Sequence, residues 1–475
     1  MARSRQQVEY GDWQTPAELT ERALARCLAS GFEPRTVVEP TCGVGRFLLS
    51  AARVFPGATL VGSDINAEYC AEATSALRDA GARASIARED FFAVDWNRRA
   101  RAWESPVLVV GNPPWVTSAE LGRMAGTNLP RKANFKGLSG LDARTGKSNF
   151  DVSEWMVIHL IEALRGGDFR VAILCKAAVA RRVMEYGATA GWKIAGAVFR
   201  IDAQRYFGAS VHAVWMEIWP VLAEQERARG WEIHDSLTST APTRHMGVVG
   251  GRTYSDLDAY ERTRELEGDA DPEWRSGVKH DCARVMEFDV VAGGLRNGLG
   301  ELVEIEPDCV YPLLKGADVA HGRAPGRKMV LLPQRRMGDD PRSIAERCPR
   351  TWDYLETHAE LLAARKSSVY RHRPPYSVFG VGDYTFTPFK VAVSGLYRRF
   401  AFSLVEPHQG RPVVCDDTVY FVPFARRARA VRVHQALQHP RVERFFAARV
   451  FWDAKRPISK GLLQGLDLGR LVDGA

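Results

Sequence analysis

Short β-branched runs alternate with helix-length segments along the first 220 residues, and this alternation constrains the fold more than any other feature. The strand-like runs lie at 36–39, 59–63, 84–87, 107–110, 170–174 and 193–199. Segments with helical periodicity lie at 17–30, 46–54, 67–80, 151–165 and 177–190. Repeated strand–helix–strand units form parallel sheets with helices on both faces. The sequence therefore predicts an α/β fold built on a doubly wound, largely parallel sheet.

Two of these strands end in turns whose residues suit ligand binding. The strand at 36–39 runs through Glu39 into a turn that contains Gly43 and Gly45. The apolar run at 106–111 leads into Asn112, the first residue of an Asn-Pro-Pro-Trp tetrapeptide. In doubly wound sheets, ligands bind outside the carboxyl ends of the strands. We therefore expect one cleft that holds a nucleotide-like cofactor on the first turn and a planar amine on the second.

The first turn has the properties of a cofactor-binding turn but not of a phosphate cradle. Gly43 and Gly45 carry no Cβ atom, so the backbone can pass close to a ligand. Glu39 can accept hydrogen bonds from an ammonium or hydroxyl group, and its charge would repel a phosphate. Asp64 ends the next strand, nineteen positions after Gly45, where a carboxylate binds both ribose hydroxyls in folds of this class.

Asp90 and Phe91 follow the third strand. A carboxylate can accept a hydrogen bond from the exocyclic amine of adenine, and an aromatic ring can cover the face of the base. The plain structural alternatives are a turn residue at Asp64 and a core aromatic at Phe91. The order and spacing of all these residues favour a cofactor site with Asp90 and Phe91 on its adenine.

The second turn presents hydrogen-bond acceptors rather than donors. Pro113 and Pro114 have no N–H group, and proline pushes the residue before it toward an extended conformation. The Asn112 side-chain oxygen and the Pro113 carbonyl can grip the two hydrogens of an aromatic amine, which aims the nitrogen lone pair at a methyl sulfonium. If the aromatic amine belongs to a nucleic-acid base, Trp115 can stack on that base. A base in a duplex has to leave the helix to enter such a pocket. A capped turn at Asn112 and a packed core ring at Trp115 are the structural alternatives.

Together, these segments resemble the S-adenosylmethionine-dependent DNA amino-methyltransferases of the gamma arrangement, in which the cofactor half comes first, the catalytic turn next and the target-recognition domain last. The matching segments are residues 10–16, 39–47, 64, 90–91 and 112–115. The resemblance implies a Rossmann-like methyltransferase fold and S-adenosylmethionine as the cofactor. It also implies that Thr15 and Pro16 border the methionine end of the cofactor, and that Phe207 packs against the flipped base opposite Trp115.

The first residue of the second turn favours adenine N6 as the methyl acceptor. In the family that the chain resembles, cytosine N4 enzymes more often begin this turn with serine or aspartate than with the asparagine found at position 112. Trp115 replaces the usual tyrosine, which keeps a stacking ring but removes a hydroxyl. Cytosine N4 in DNA, adenine in RNA and a protein glutamine remain alternative acceptors. A methylase-like DNA-binding subunit without turnover is the non-enzymatic alternative.

A domain boundary is expected near residue 222, because Pro220 is followed by a charged, glycine-containing stretch that extends to about residue 272. Residues 1–222 would form the catalytic domain that binds S-adenosylmethionine. Residues 223–475 lose the regular strand–helix alternation and mix strand-like runs with glycine and proline turns. They are expected to form an α+β target-recognition domain that binds DNA.

Basic residues in two regions are candidates for contacts with DNA. One region is a glycine-rich segment after the second turn, which we expect to close over the flipped base. The other mixes cations with aromatic residues between 365 and 400. The candidates are Arg131, Lys132 and Lys136 in the first region, and Arg371, Arg373, Lys390 and Arg398 in the second.

The formal net charge of +8 and an isoelectric point of about 9.1 suit a polyanionic partner such as duplex DNA. No apolar run is long enough to cross a membrane and no signal segment is recognisable, so we expect a cytoplasmic protein. The eight cysteines include no CxxC pair, and no metal site is expected. Without a nuclease motif, the chain is expected to be the modification part of a restriction or phage-defence system, whose nuclease would be a separate subunit.

Overall fold

The computed structural model describes residues 14–116, 151–221 and 230–473. The chain divides into two compact units, Met1–Asp258 and Ala259–Ala475. The first unit therefore extends well beyond the boundary that the sequence predicts at residue 222.

The first unit is built on a ten-stranded sheet. Its strands are β1 (Thr36–Glu39), β2 (Thr59–Asp64), β3 (Ala84–Arg88), β4 (Val107–Gly111), β5 (Phe169–Lys176), β6 (Ile194–Ile201), β7 (Ala213–Pro220), β8 (Trp231–His234), β9 (Arg244–Val249) and β10 (Arg252–Tyr254). Its helices are α1 (Ala17–Ala29), α2 (Arg46–Val54), α3 (Ala67–Asp79), α4 (Trp96–Ala100), α5 (Val152–Leu164), α6 (Ala177–Thr189) and α7 (Ala203–Phe207).

The strand order is β10-β9-β8-β6-β7-β5-β4-β1-β2-β3. Strands β1 to β5 all run parallel to their neighbours within that group, whereas β7 lies antiparallel between β5 and β6. The order reverses at β1, with β2 and β3 on one side and β4 and β5 on the other. This reversal confirms the predicted doubly wound α/β fold, and it creates the switch point at which such sheets bind ligands.

Strands β1 and β4 are buried along their whole length, which is the burial expected for strands of a parallel sheet covered on both faces. On one face, Phe47 of α2 stacks on Trp215 of β7 with 5.7 Å between the ring centroids. Full burial of a side chain of this size stabilises a fold by about 1.5–3 kcal/mol. The two strands that carry the predicted site thus lie in the buried interior of the unit.

Strands β8, β9 and β10 carry the sheet past the predicted boundary. β8 pairs parallel to β6, with Val198 opposite Ile233, and β9 and β10 add in antiparallel order. Gly196 makes this pairing possible, because a Cβ atom there would lie 2.6 Å from the ring of Trp231. Residues 231–254, which lie past the predicted boundary, therefore still belong to the sheet of the first unit.

The second unit contains two sheets and several short helices, which confirms the predicted α+β class. The four-stranded sheet has the order β11-β20-β17-β18 and the six-stranded sheet the order β14-β13-β12-β16-β15-β19. The strands are β11 (Arg275–Ser276), β12 (Glu287–Val291), β13 (Gly294–Asn297), β14 (Leu302–Val303), β15 (Val310–Leu314), β16 (Lys328–Leu331), β17 (Phe389–Ser394), β18 (Phe402–Val405), β19 (Val414–Cys415) and β20 (Val419–Phe424). The helix α8 (Leu257–Glu261) begins at the unit boundary, and the helices after it are α9 (Ala283–Met286), α10 (Gly316–Ala320), α11 (Pro349–Thr357), α12 (Ala359–Ala363), α13 (Arg427–Leu437), α14 (Pro440–Ala447), α15 (Lys460–Gln464) and α16 (Leu468–Asp473).

Candidate active site

The two predicted turns lie side by side at the switch point of the sheet. β1 and β4 are parallel neighbours, with Val38 opposite Val109. Glu39 ends β1 and Gly111 ends β4, and a Cβ atom on Gly111 would lie 3.7 Å from Cγ of Glu39. Asn112 follows Gly111 directly, so the structure brings the start of the second turn next to the carboxylate of the first.

The first turn requires glycine at both predicted positions. Gly43 has φ +50° and Gly45 has φ +76°, in the left-handed region that side chains disfavour. A Cβ atom on Gly45 would also lie 3.0 Å from Cβ of Ala73 on α3. Gly45 is the N-cap residue of α2, so this close approach fixes where the helix begins relative to the strand tip.

Asp64 is bound to this turn. Its Oδ2 accepts a hydrogen bond from the backbone N–H of Gly43 at 2.9 Å, and its Oδ1 accepts one from Asn66 at 2.9 Å. An ionised carboxylate has about four lone-pair sites, so both oxygens can accept further hydrogen bonds from hydroxyl groups. The structure thus joins Gly43 and Asp64 as the sequence predicts.

Glu39 is a buried carboxyl group at the bottom of the turn. It is 3% exposed, and its Oε2 has no hydrogen-bond partner among the described residues. Burial raises the pKa of Glu39 well above its ordinary value, and the charge of Asp64 raises the pKa further, although the Leu48 backbone N–H opposes both effects. A cation that approaches from the turn would stabilise the ionised form of this carboxyl group.

Thr15 and Pro16 lie at the start of α1. Thr15 is buried, and Pro16 is the N-cap residue of the helix, with its carbonyl 3.0 Å from the backbone nitrogen of Leu19. Gln14 comes closer to the glycine turn, because its Nε2 would lie 3.2 Å from a Cβ atom on Gly43. Gln14 is a residue that sequence reasoning did not select, although it belongs to the same matching segment.

Asp90 and Phe91, which are predicted to contact the adenine of the cofactor, differ in burial: Asp90 is half-buried and the Phe91 ring is buried. Asp90 caps the short helical turn Phe91–Ala93 through a 2.9 Å hydrogen bond from Phe92 N–H. The Phe91 ring is buried in an aromatic cluster, 4.7 Å from the Trp96 centroid. By contrast, Ile65 directly follows Asp64 and is 38% exposed. Sequence reasoning did not select Ile65, although an apolar residue directly after a strand-end carboxylate is a signal that could have indicated it.

Trp115 is anchored in the core at the end of the second turn. It is 7% exposed, and its Nε1–H donates to the carbonyl of Leu174 on β5 at 3.3 Å. Phe207, which is 8% exposed, meets it edge to face, with 5.4 Å between the centroids and 70° between the planes. Phe207 packs directly on Trp115 within one apolar core cluster, so the two rings leave no gap between them for the predicted base in this structure.

The predicted DNA contacts fall into three groups. Arg131, Lys132 and Lys136 lie outside the described residues. Arg371, Arg373 and Arg398 are exposed on the second unit. Lys390, however, is 0% exposed, and its Nζ donates to the Thr387 carbonyl at 2.7 Å. Lys390 cannot reach a phosphate in this structure, because it belongs to β17, which is buried on both faces after its first residue.

Arg365 contacts the segment that carries Arg371 and Arg373 on both sides of these residues. Arg365 donates to the Ser377 carbonyl at 2.7 Å, and its guanidinium lies 3.9 Å from the Tyr370 ring centroid. Neither Arg371 nor Arg373 forms an ion pair with a carboxylate in the part of the chain that the structure describes. Both cations are thus exposed on a segment that Arg365 contacts at two points.

Two general properties of the described residues bear on the kind of site. None of their helices is both long enough and apolar enough to cross a membrane. Within 14–116, 151–221 and 230–473, no group of three or more histidine, cysteine or acidic side chains is placed to hold a metal ion.

Comparison with known proteins places these features in context. No family model matches the chain. The type II methyltransferase M.NspV from Nostoc sp. is 38% identical over 469 residues, which cover 97% of this chain and 96% of that protein. The type II methyltransferase M.CvrRI of Paramecium bursaria Chlorella virus XZ-6E is 29% identical over 86 residues, 18% of this chain and 20% of that protein. Among solved structures, the type IIL restriction-modification enzyme MmeI in complex with DNA shares the fold, with a TM-score of 0.53 and 13% identity over 94% of this chain and 64% of MmeI.

Proposed function

The chain belongs to the type II methyltransferases, and from this premise we propose that it transfers a methyl group from S-adenosylmethionine to N6 of adenine in duplex DNA at a specific sequence. The observation that carries the proposal is the adjacency of Glu39 and the Gly111–Asn112 strand end at the switch point of the sheet. A methyl donor on the first turn and an amine on the second would meet there.

The first turn fits the chemical groups of S-adenosylmethionine, which supplies an electrophilic methyl group on a sulfonium when bound. The amino-acid part of the cofactor carries an ammonium, and the unpartnered Oε2 of Glu39 suits it. Asp64 would accept hydrogen bonds from ribose hydroxyls while it holds Gly43. Thr15 and Pro16 would border the methionine end.

The adenine of the cofactor would lie between the ends of β2 and β3. Asp90 would accept a hydrogen bond from its exocyclic amine. Ile65 offers an exposed apolar face, whereas Phe91 is mostly covered by its aromatic neighbours. We therefore assign the larger part of the apolar contact to Ile65, and Phe91 mainly supports this wall.

The second turn would orient the acceptor base. Asn112 Oδ1 and the Pro113 carbonyl would accept hydrogen bonds from the two N6 hydrogens, which turns the nitrogen lone pair toward the methyl group. Pro113 and Pro114 keep competing N–H donors out of the turn. Such positioning converts binding energy into rate without a covalent enzyme intermediate. The indole of Trp115 would contact the base, and Phe207 would hold the indole in place from the other side.

The second unit would bind the DNA around the target. Its exposed Arg371, Arg373 and Arg398 offer positive charge to phosphates, and the net charge of +8 favours a polyanion. Arg131, Lys132 and Lys136 would add contacts from the segment after the second turn. The role proposed for the chain in the cell is the modification part of a restriction or phage-defence system.

The proposal is tested by incubating the purified protein with S-adenosylmethionine labelled in its methyl group and duplex DNA of mixed sequence. The DNA is then digested to nucleosides and analysed by mass spectrometry. We expect label in N6-methyladenine and at one sequence context. Label in N4-methylcytosine, or transfer only to RNA or to protein glutamine, would replace adenine N6 by that acceptor.

A further inference from the structure

Trp115 is held from two directions by the end of β5. Its indole N–H donates to the Leu174 carbonyl at 3.3 Å, and its own backbone carbonyl accepts a hydrogen bond from Lys176 Nζ at 2.9 Å. Lys176 is the last residue of β5 and the N-cap residue of α6, so its backbone is fixed by both elements. One strand end therefore sets the position of both the ring and the backbone of Trp115.

The same ammonium group binds Asp151. Lys176 Nζ lies 2.8 Å from Asp151 Oδ2, and Asp151 is 3% exposed. Asp151 Oδ1 accepts hydrogen bonds from the Ser153 backbone N–H at 3.2 Å and from the Ser153 hydroxyl at 2.5 Å, which caps α5. The two hydrogen bonds from Ser153 hold the buried carboxylate in one orientation. The charge-assisted hydrogen bond from Lys176 then fixes the position of the ammonium group.

A backbone hydrogen bond completes the arrangement. The Val152 N–H donates to the Val116 carbonyl at 2.9 Å, so the chain that leaves the second turn is tied to the start of α5. Lys176 lies at the centre of these contacts, since among the described residues it alone bonds to both Trp115 and Asp151. If it lost its charge, the Asp151 carboxylate would be buried without its ion-pair partner and the Trp115 carbonyl would lose its donor.

We propose that Lys176 is a positioning residue for methyl transfer, which fixes the turn from Asn112 to Trp115 relative to the cofactor turn. The inference rests on the proposed function, since it concerns how that turn orients the acceptor amine. Asn112 is only three residues from Trp115, and two prolines between them limit the rotations that could absorb a shift. A displacement of about 1 Å at the reacting atoms costs about 100-fold in rate.

The test compares Lys176→Met with Arg182→Met, a matched control. Arg182 pairs with Glu154 on the same helix α5, and within the described residues it has no hydrogen bond to Trp115. Both variants remove an ion pair to α5 and should lower the melting temperature. Under saturating cofactor and DNA, we expect kcat to fall about 100-fold in Lys176→Met with cofactor affinity unchanged, and to stay within about twofold in Arg182→Met. Lys176→Arg should recover most of the rate.

A spectroscopic readout makes the result independent of activity. With 5-fluorotryptophan incorporated, the Trp115 resonance is assigned by its disappearance in Trp115→Phe. Lys176→Met should shift or broaden that resonance, and Arg182→Met should not. If Lys176→Met fails to fold, Asp151→Asn keeps the helix cap, weakens the pair and should move the same resonance.

The outcomes separate this proposal from the function on which it rests. Transferred label is counted in every acceptor. Methylation of another base would therefore contradict adenine N6 as the acceptor, but the kcat values of Lys176→Met and Arg182→Met could still be compared. If the wild-type protein transfers no label, the fluorine resonance decides. A Lys176→Met protein with an unmoved Trp115 resonance, or one whose kcat matches that of Arg182→Met, would show that Lys176 only stabilises the fold.

Discussion

A Cβ atom on Gly111 would lie 3.7 Å from Cγ of Glu39, so the strand that leads into the second turn passes directly against the buried carboxyl group of the first. Glu39 and Gly111 therefore form one wall of the predicted cleft, and this wall is shared by the two turns. A change in either residue should therefore affect both cofactor binding and methyl transfer, although the two residues are far apart in sequence.

Gly111→Ala tests that shared wall. Gly111 has φ +154°, a conformation that alanine adopts only with strain of about 1–3 kcal/mol. We expect a lower melting temperature together with weaker binding of S-adenosylmethionine and slower transfer. Gly57→Ala is the control, because a Cβ atom on Gly57 meets nothing within 4 Å. Wild-type affinity and rate in Gly111→Ala would argue against a common wall.

Glu39→Gln should weaken cofactor binding and remove its pH dependence. Because burial raises the pKa of Glu39, the free protein holds a proton there to a higher pH than an ordinary glutamate does. An ammonium needs the ionised form, so affinity should increase as the pH rises through the raised pKa, and binding should release a proton. Loss of one charged hydrogen bond corresponds to about 10- to 100-fold in affinity. Calorimetry in two buffers measures both effects, and a pH dependence that persists in Glu39→Gln would exclude this carboxyl group as its source.

The same substitution should stabilise the cofactor-free protein above the raised pKa. Between the unfolded and the folded pKa of Glu39, the folded state binds more protons than the unfolded state, so stability falls as the pH rises. The contribution is fully present below the unfolded pKa and lost above the folded one. Glutamine carries no titrating proton, so its melting temperature should exceed that of wild type at high pH but not at low pH. Parallel melting curves for the two proteins across pH would contradict the raised pKa.

Arg371→Ala combined with Arg373→Ala should weaken DNA binding through the electrostatic term. Each phosphate contact contributes about 0.9 to the slope of log affinity against log salt, so the slope should fall by about 2. Lys390→Met should leave both slope and affinity unchanged, since Lys390 is fully buried. Fluorescence anisotropy at several salt concentrations measures the slopes. If the slope of log affinity against log salt changed for Lys390→Met but not for the double arginine variant, Lys390 rather than Arg371 and Arg373 would be the phosphate contact.

Lys390 should leave a signature in stability rather than in DNA binding. Burial lowers its pKa from 10.5 to about 8. Between these values the unfolded state binds more protons than the folded state, so stability should rise as the pH increases from about 8 toward 10.5. Lys390→Met replaces the ammonium with an apolar chain of similar length and should remove this rise. Denaturant unfolding across that range checks it, and an equal rise in both proteins would point to another group.

The sequence predicted those parts of the site that depend on a single strand end. The short β-branched runs of β1 and β2 were predicted as strands, and Gly43 and Asp64, which follow β1 and end β2, do lie together. The prediction for Lys390 was wrong because a strand covered on both faces gives no alternation, so its sequence did not show which face a lysine would occupy.

Features that depend on packing between distant elements could not be read in this way. The edge-to-face contact of Trp115 with Phe207 depends on how α7 packs against the second turn, which no spacing encodes. The contact of Lys176 with Asp151 links a strand end to a helix cap 25 residues away. The strands β8 to β10, which extend the first unit past residue 222, were not predicted because they are only 3–6 residues long and show too little pattern.

The most direct test of the central claim is the single-turnover rate of Asn112→Ala on duplex DNA, measured together with its affinity for S-adenosylmethionine. If Asn112 holds the adenine amine beside the cofactor turn, the rate should fall by at least about 100-fold while the cofactor affinity stays within about twofold of wild type. Transfer to adenine N6 at the wild-type rate by Asn112→Ala would contradict the account.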